Sequence, residues 1–189
     1  TSDLLFYTQH IRGKLSRHKV RYRRYESTGI SFLEIKKKTN KNRTIKKRIE
    51  SILTTNSPDE KAAAFIEEYL PYCSLDLTPV LINGFTRITL VGKEFKERIT
   101  LDYEITFSTP DAKNTGLPFL AVAEIKSERR SSQSPFGISM KKIGIRPGRF
   151  SKYCIGSSLI RNIPRINTLK PNLLLLNKIE NEYFKSTAT

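Results

Sequence analysis

Polar and apolar residues alternate without a break through Arg98-Ile99-Thr100-Leu101-Asp102-Tyr103-Glu104-Ile105-Thr106-Phe107. Successive side chains on a strand point to opposite faces, so this segment predicts a strand with one wholly polar and one wholly apolar face. The same period of two recurs in Phe32-Leu33-Glu34-Ile35-Lys36 and in Ala121-Val122-Ala123-Glu124-Ile125-Lys126. Extended to the flanking residues, the pattern predicts strands over 19–25, 31–37, 43–49, 79–82, 86–92, 97–107 and 120–126. Glu26-Ser27-Thr28-Gly29 is a turn that makes a hairpin of the first two, and residues 40–42 form a polar turn before the third. Ser57-Pro58-Asp59-Glu60 opens a helix that runs to about residue 70, with Ser57 as N-cap, Pro58 in the first helical position and Glu60 completing a capping box. Residues 131–148, rich in Ser, Gly, Pro and basic side chains, read as a loop. Residues 150–160 read as a helix, and a further helix follows Pro171. The fold class expected is α+β, an antiparallel β-barrel forming a tunnel with flanking helices, in a single domain over 1–189.

The polar faces are unusual in what they carry. Arg21 and Arg23 are two apart and share a strand face; Lys46 and Arg48 repeat that geometry on the third strand; Arg87 and Arg98 add cations on later strands. A polar face ordinarily meets water, and one such pair is an ordinary solvated surface. Repeated strand after strand, however, like charges opposed across a sheet destabilise it. A closed barrel, charged inside and apolar outside beneath covering helices, resolves the conflict if an anion fills its tunnel. Arginine's planar fork of donors suits phosphate oxygens. Composition agrees: Lys and Arg outnumber Asp and Glu by 34 to 18, a formal net charge of +16, which calls for an anionic partner such as nucleic acid, an acidic membrane or a phosphate-rich ligand.

Glu34-Ile35-Lys36 and Glu124-Ile125-Lys126 each set an acid and a base on one strand face. The pattern admits two readings, a local ion pair or a site for a hard cation, Mg²⁺ or Mn²⁺, held by one or two carboxylates plus substrate phosphates. Gly148-Arg149-Phe150-Ser151-Lys152-Tyr153 starts a helix after a Gly-rich stretch. Helix N-termini favour anions, and Arg149 and Lys152, three apart, would share a face there. The spacing is not that of a P-loop. His10 and His18 read as surface residues, Cys154 as core, and Phe32, Tyr103, Phe107 and Phe119 as core or barrel exterior. Cys73 and Cys154 show no metal-ligand spacing, so a reducing, cytoplasmic compartment is expected. No apolar run is long enough to span a bilayer.

Four segments together resemble the VTC domain, the polyphosphate polymerase domain of the vacuolar transporter chaperone complex, which also occurs in bacterial proteins and belongs to the triphosphate tunnel metalloenzymes of CYTH-like type. They are Lys19-Val20-Arg21-Tyr22-Arg23-Arg24-Tyr25, Phe32-Leu33-Glu34-Ile35-Lys36, Thr44-Ile45-Lys46-Lys47-Arg48 and Gly148-Arg149-Phe150-Ser151-Lys152-Tyr153. The resemblance covers the chain from Thr1 to about Ile160. It implies an antiparallel tunnel that holds triphosphate or polyphosphate with Mn²⁺ or Mg²⁺. Carried over by motif, Arg21, Arg23, Lys36, Lys46, Arg48, Arg87, Arg98 and Lys126 bind phosphate. Glu124 holds the metal with Glu34 as a helper, and Lys152 and Arg149, with Glu124, serve the reacting end. Arg149 stands where the family often has Lys. Thr1-Ser2-Asp3 resembles the end of a Tyr-Phe-Asp-Thr motif, so the family's first strand is expected before Thr1.

The function implied is transfer of the γ-phosphoryl group of ATP to a growing polyphosphate chain, with ATP, triphosphate or polyphosphate as partners, no specific nucleic acid, and room for a membrane-protein partner. Three alternatives stand beside it. The first is hydrolysis of triphosphate or a nucleoside triphosphate. The second is a non-catalytic polyphosphate sensor. The third is a nucleic-acid binder, supported by charge alone.

Overall fold

In the computed structural model the described residues are 1–189 apart from 2, 42, 53–56, 73, 94–95, 128–133, 162, 164–165 and 188–189. Ser2, Asn42, Cys73 and residues 131–133, which figure in the sequence reading, lie outside them. The chain forms two compact units, Thr1–Val80 and Leu81–Thr189.

The first unit is a three-stranded antiparallel sheet, β1 (Arg17–Arg24), β2 (Ser31–Lys38) and β3 (Thr44–Glu50), in the order β1-β2-β3, with helices α1 (Leu5–Ile11) and α2 (Glu60–Tyr69). The β1–β2 hairpin closes at Gly29, whose φ of 68° is the left-handed conformation glycine adopts without a steric cost, and whose N–H donates to the Tyr25 carbonyl at 2.7 Å. The period of two sorts the sheet cleanly. Leu33 and Ile35 turn to one side and pack with Ala62, Phe65, Ile66 and Leu70 of the α2 region, joined by Val20, Tyr22 and Ile49. His18 has the parity of Val20 and Tyr22, so it is buried rather than on the surface as its sequence context suggests. Helix α2 starts two residues later than the Ser-Pro signal implies. The Asp59 carboxylate, not Ser57, accepts from Ala62 N–H at 2.7 Å, and Glu60 then sits in the first turn, where the helix dipole favours an acid.

The second unit is built on β5 (Glu97–Ser108). It pairs along one edge with β4 (Ile82–Val91). Along the other edge it pairs with β6 (Asn114–Leu117) and β7 (Val122–Ser127), which take opposite halves of the strand. Helices α3 (Pro135–Lys142), α4 (Lys152–Ile160) and α5 (Lys170–Thr187) follow. All strand pairs are antiparallel, and among the described residues neither sheet closes on itself. Residues 79–81 do not join the sheet; pairing begins at Ile82, opposite Ser108, after a Pro79 that has no N–H to donate. Helix α3 stands where composition suggests only loop: the Ser134 hydroxyl accepts from Gly137 N–H at 2.9 Å with Pro135 in the first turn, the same Ser-Pro start misplaced at α2.

A bulge decides the layout of this unit. Between the pairs Thr86↔Tyr103 and Gly84↔Thr106, β4 advances by two residues and β5 by three, with Glu104 at φ 52°. The extra residue reverses the facing of β5. The uniform polar and apolar faces expected over 98–107 therefore do not persist: Phe107, opposite Asn83, lies on the same face as Asp102, opposite Arg87. Phe107 is 1% exposed and sits under α4, where a Cβ built on Gly156 would come 2.3 Å from its ring.

Gly156→Ala therefore tests this contact. Alanine is normally favoured over glycine inside a helix by about 1 kcal/mol, but here the methyl group has no room. Urea denaturation is expected to show a net loss of roughly 1–3 kcal/mol, most of it recovered when Phe107→Leu is added.

Candidate functional site

In the first unit, strand register puts the predicted cations on one face. Arg23 is opposite Phe32, Arg21 opposite Glu34, and Lys19 opposite Lys36 on β1–β2; Glu34 is opposite Arg48 and Lys36 opposite Lys46 on β2–β3. Arg21, Arg23, Lys36, Lys46 and Arg48 thus lie on the side of the sheet away from α2. Glu34 is 1% exposed at their centre. Arg21 donates to its Oε2 through Nε at 2.8 Å and Nη2 at 2.6 Å, while Lys46 Nζ lies 2.5 Å from Oε1. Arg48, although directly opposite Glu34, stacks on the Phe32 ring at 4.6 Å, and Arg23 stacks on Tyr25 at 4.5 Å. Phe32 is therefore part of the basic face, not exterior or core. Burial pushes the Glu34 carboxyl up, and hydrogen bonds from Lys46 and Arg21 overcome that push and hold it at about 2.

The second unit repeats the motif with different parts. Asp102, 2% exposed, faces Arg87 across β4–β5 and takes a bidentate pair from it, Nε to Oδ1 at 2.5 Å and Nη2 to Oδ2 at 2.6 Å. The Lys152 ammonium, at the first residue of α4, pairs with Oδ2. Phe85 lies beneath both cations, its ring centroid 5.1 Å from the Arg87 guanidinium carbon and 4.6 Å from Lys152 Nζ. Burial again raises the carboxyl, and Arg87 and Lys152 outweigh it, leaving Asp102 below the usual carboxylate range. Neither Asp102 nor Phe85 was marked as a site residue by the sequence. The signal was present in the position of Asp102 on the polar parity of β5, but only the register shows that it meets Arg87.

Arg98 lies further along β5, and Glu124 and Lys126 lie on β7: Arg98 is opposite Lys126, and Glu124 opposite Thr100. Glu124 and Lys126 are more than half exposed and 3.4 Å apart. Arg149 lies in the exposed segment before α4 and not within it, because the helix starts at Lys152 with Ser151 as N-cap; the shared helical face expected for the two does not form. The Arg149 carbonyl accepts from Asn172 Nδ2 at 2.7 Å.

The VTC domain family model matches residues 1–161. The chain belongs to the VTC domain family. That match runs across both units and ends just past α4, and it associates the chain with polyphosphate-related phosphotransfer. No curated protein and no solved structure matched the chain. No described helix is long and apolar enough to cross a membrane.

Whether the VTC residues fit a divalent metal can be judged from the carboxylates. Among the described residues no cluster of three His, Cys, Asp or Glu side chains is placed to hold one. Glu34 does not fit, since both its oxygens already face cations. Glu124 is more than half exposed with Oε1 3.4 Å from Lys126 Nζ; an exposed carboxylate of this kind suits only the looser Mg²⁺-type arrangement, in which one carboxylate shares the ion with substrate phosphates.

The ion pairing of Glu34 carries a pH signature. Its carboxyl is depressed from 4.5 to about 2 on folding. The stability it contributes is thus present above about pH 4.5 and lost as pH falls toward about 2, roughly 3 kcal/mol in all. Glu34→Gln is expected to be less stable than wild type by roughly that amount near neutrality, with the gap shrinking by about half or more by pH 3. Urea titrations of both proteins across that range measure it.

Proposed function

We propose that this VTC domain binds a polyphosphate chain along the polar sheet faces and transfers the γ-phosphoryl group of ATP to its end. The observation that carries the reading is like charge in register. Lys19, Lys36 and Lys46 form one row across β1, β2 and β3, and Arg98 faces Lys126 across β5 and β7. Lys46 and Lys126 also face carboxylates, Glu34 and Glu124, and the excess of cations over these two acids on the sheet faces suits the oxygens of a polyanion. The tunnel implied by the resemblance is part of this proposal, supported by the polar face of each sheet taken separately.

In the reaction, a terminal oxygen of the acceptor chain forms a bond to the γ-phosphorus while the bond from that phosphorus to the β–γ bridging oxygen breaks. ADP leaves with the electron pair, and the anionic acceptor needs no base. The protein's task is positioning and charge neutralisation. Arg21, Arg23, Lys36, Lys46, Arg48, Arg87, Arg98 and Lys126 bind phosphate oxygens, and Lys152 with Arg149 steadies the reacting end. A Mg²⁺ or Mn²⁺ ion held by Glu124, when bound, neutralises charge on the transferred group.

Incubation with ATP and Mn²⁺ is expected to give a ladder of polyphosphate on a gel, abolished by chelation. Orthophosphate without polymer would indicate a hydrolase. Stabilisation by triphosphate with neither product would indicate a sensor, and no melting shift with triphosphate would overturn the phosphate-binding reading altogether.

Two substitutions separate binding from catalysis. Arg98→Ala removes a charged phosphate contact and is expected to weaken triphosphate binding roughly tenfold or more. Glu124→Gln removes a negative charge, so metal-free triphosphate affinity should hold or rise while Mn²⁺-dependent turnover falls. Calorimetric titrations with and without Mn²⁺, beside ATP turnover, measure both.

A further inference from the structure

Asp102 is an anion where the proposed function asks for cations, and the second unit invests heavily in it. Three elements converge on it: β5 supplies the carboxylate, β4 supplies Arg87 directly opposite, and α4 supplies Lys152. The Phe85 ring lies against both cations. Helix α4 is itself held at a defined height, because Gly156, one turn on from Lys152, meets the ring of Phe107 on the Asp102 face. The bulge at Glu104 brings Phe107 to that face.

A lysine side chain is a point charge on a flexible four-carbon stem. Two cations side by side also repel one another. A carboxylate between them removes that repulsion and restrains the lysine, and the three groups together keep a formal charge of +1. We propose that Asp102 is a positioning residue of the phosphoryl transfer, holding the Lys152 ammonium and the Arg87 guanidinium in one arrangement without touching the substrate. The inference rests on the function proposed above and adds a residue to it.

The role has a consequence that a purely structural ion pair lacks. As an anion, Asp102 opposes binding of the phosphate chain; as an anchor, it favours the geometry of the reaction. Affinity and turnover should therefore move apart when its charge is removed. With Asp102→Asn, triphosphate affinity measured by calorimetry is expected to be equal to or tighter than wild type. ATP turnover at saturating substrate should fall roughly a hundredfold, the scale of a small misplacement of a catalytic group. Asp102→Glu, which keeps the charge, should recover part of that loss. A double-substitution cycle of Arg87→Ala and Lys152→Ala on triphosphate affinity should show coupling in the wild-type background and additivity in Asp102→Asn.

Turnover unchanged in a folded Asp102→Asn protein would overturn the inference. So would a parallel fall of turnover, affinity and melting temperature without recovery in Asp102→Glu, which is the result for a structural ion pair alone. A wild-type protein that does not turn over ATP would instead remove the proposed function, and this inference with it.

Discussion

A carboxylate withdrawn from water must be met by cations, and in this protein that constraint organises both units. Glu34 and Asp102 are each almost completely buried, each on the central strand of its sheet, and each directly opposite an arginine of the preceding strand. Stripping hydration from an ionised carboxylate costs several kcal/mol, repaid only when geometry and hydrogen bonding are good. The side-on approach of Arg21 and Arg87 through Nε and Nη2 supplies that geometry, and a lysine completes each site. The carboxylates hold long, flexible cations in place, so the basic faces do not depend on surface side chains finding their own positions.

The opposite side of the first sheet provides the rigidity. Leu33 and Ile35 alternate with Glu34 and Lys36 along β2, so burying the former against α2 turns the latter to the other face. Register is hard to slip, because a shift of one residue would carry the apolar set out of the core and the charged set into it. The row Lys19, Lys36 and Lys46 is held on the other face by this packing.

In the second unit the decisive feature is local. One extra residue at Glu104 turns the second half of β5 over, so that an apolar ring, Phe107, and an acidic side chain, Asp102, share a face. That combination lets a single helix do two things. Gly156 of α4 rests on Phe107, and Lys152, one turn earlier, reaches Asp102. Without the bulge the strand would present one uniform polar face, and α4 would have no apolar surface beneath it on the Asp102 side.

Much of this was legible in the chain. The alternation through 31–37 and 97–107 placed β2 and β5 within a residue, and the pairs Arg21 with Arg23 and Lys46 with Arg48 were set on common faces by a period that backbone geometry imposes on any strand. The resemblance of four segments found the family. Weaker local signals decide little where two compete. Ser57 and Asp59 both suit a helix start, and the hydrogen bond to Ala62 N–H selects Asp59. At α3 the same Ser-Pro start lies among residues that also suit a loop. What sequence by itself determined is which side chains share a strand face, because that follows from the two-residue repeat alone. Which strands meet, in what register, and where the repeat breaks were decided by tertiary structure. Pairing Asp102 with Arg87, fifteen residues away, and with Lys152, fifty away, depends on hydrogen-bonded register and helix packing, which no local pattern encodes.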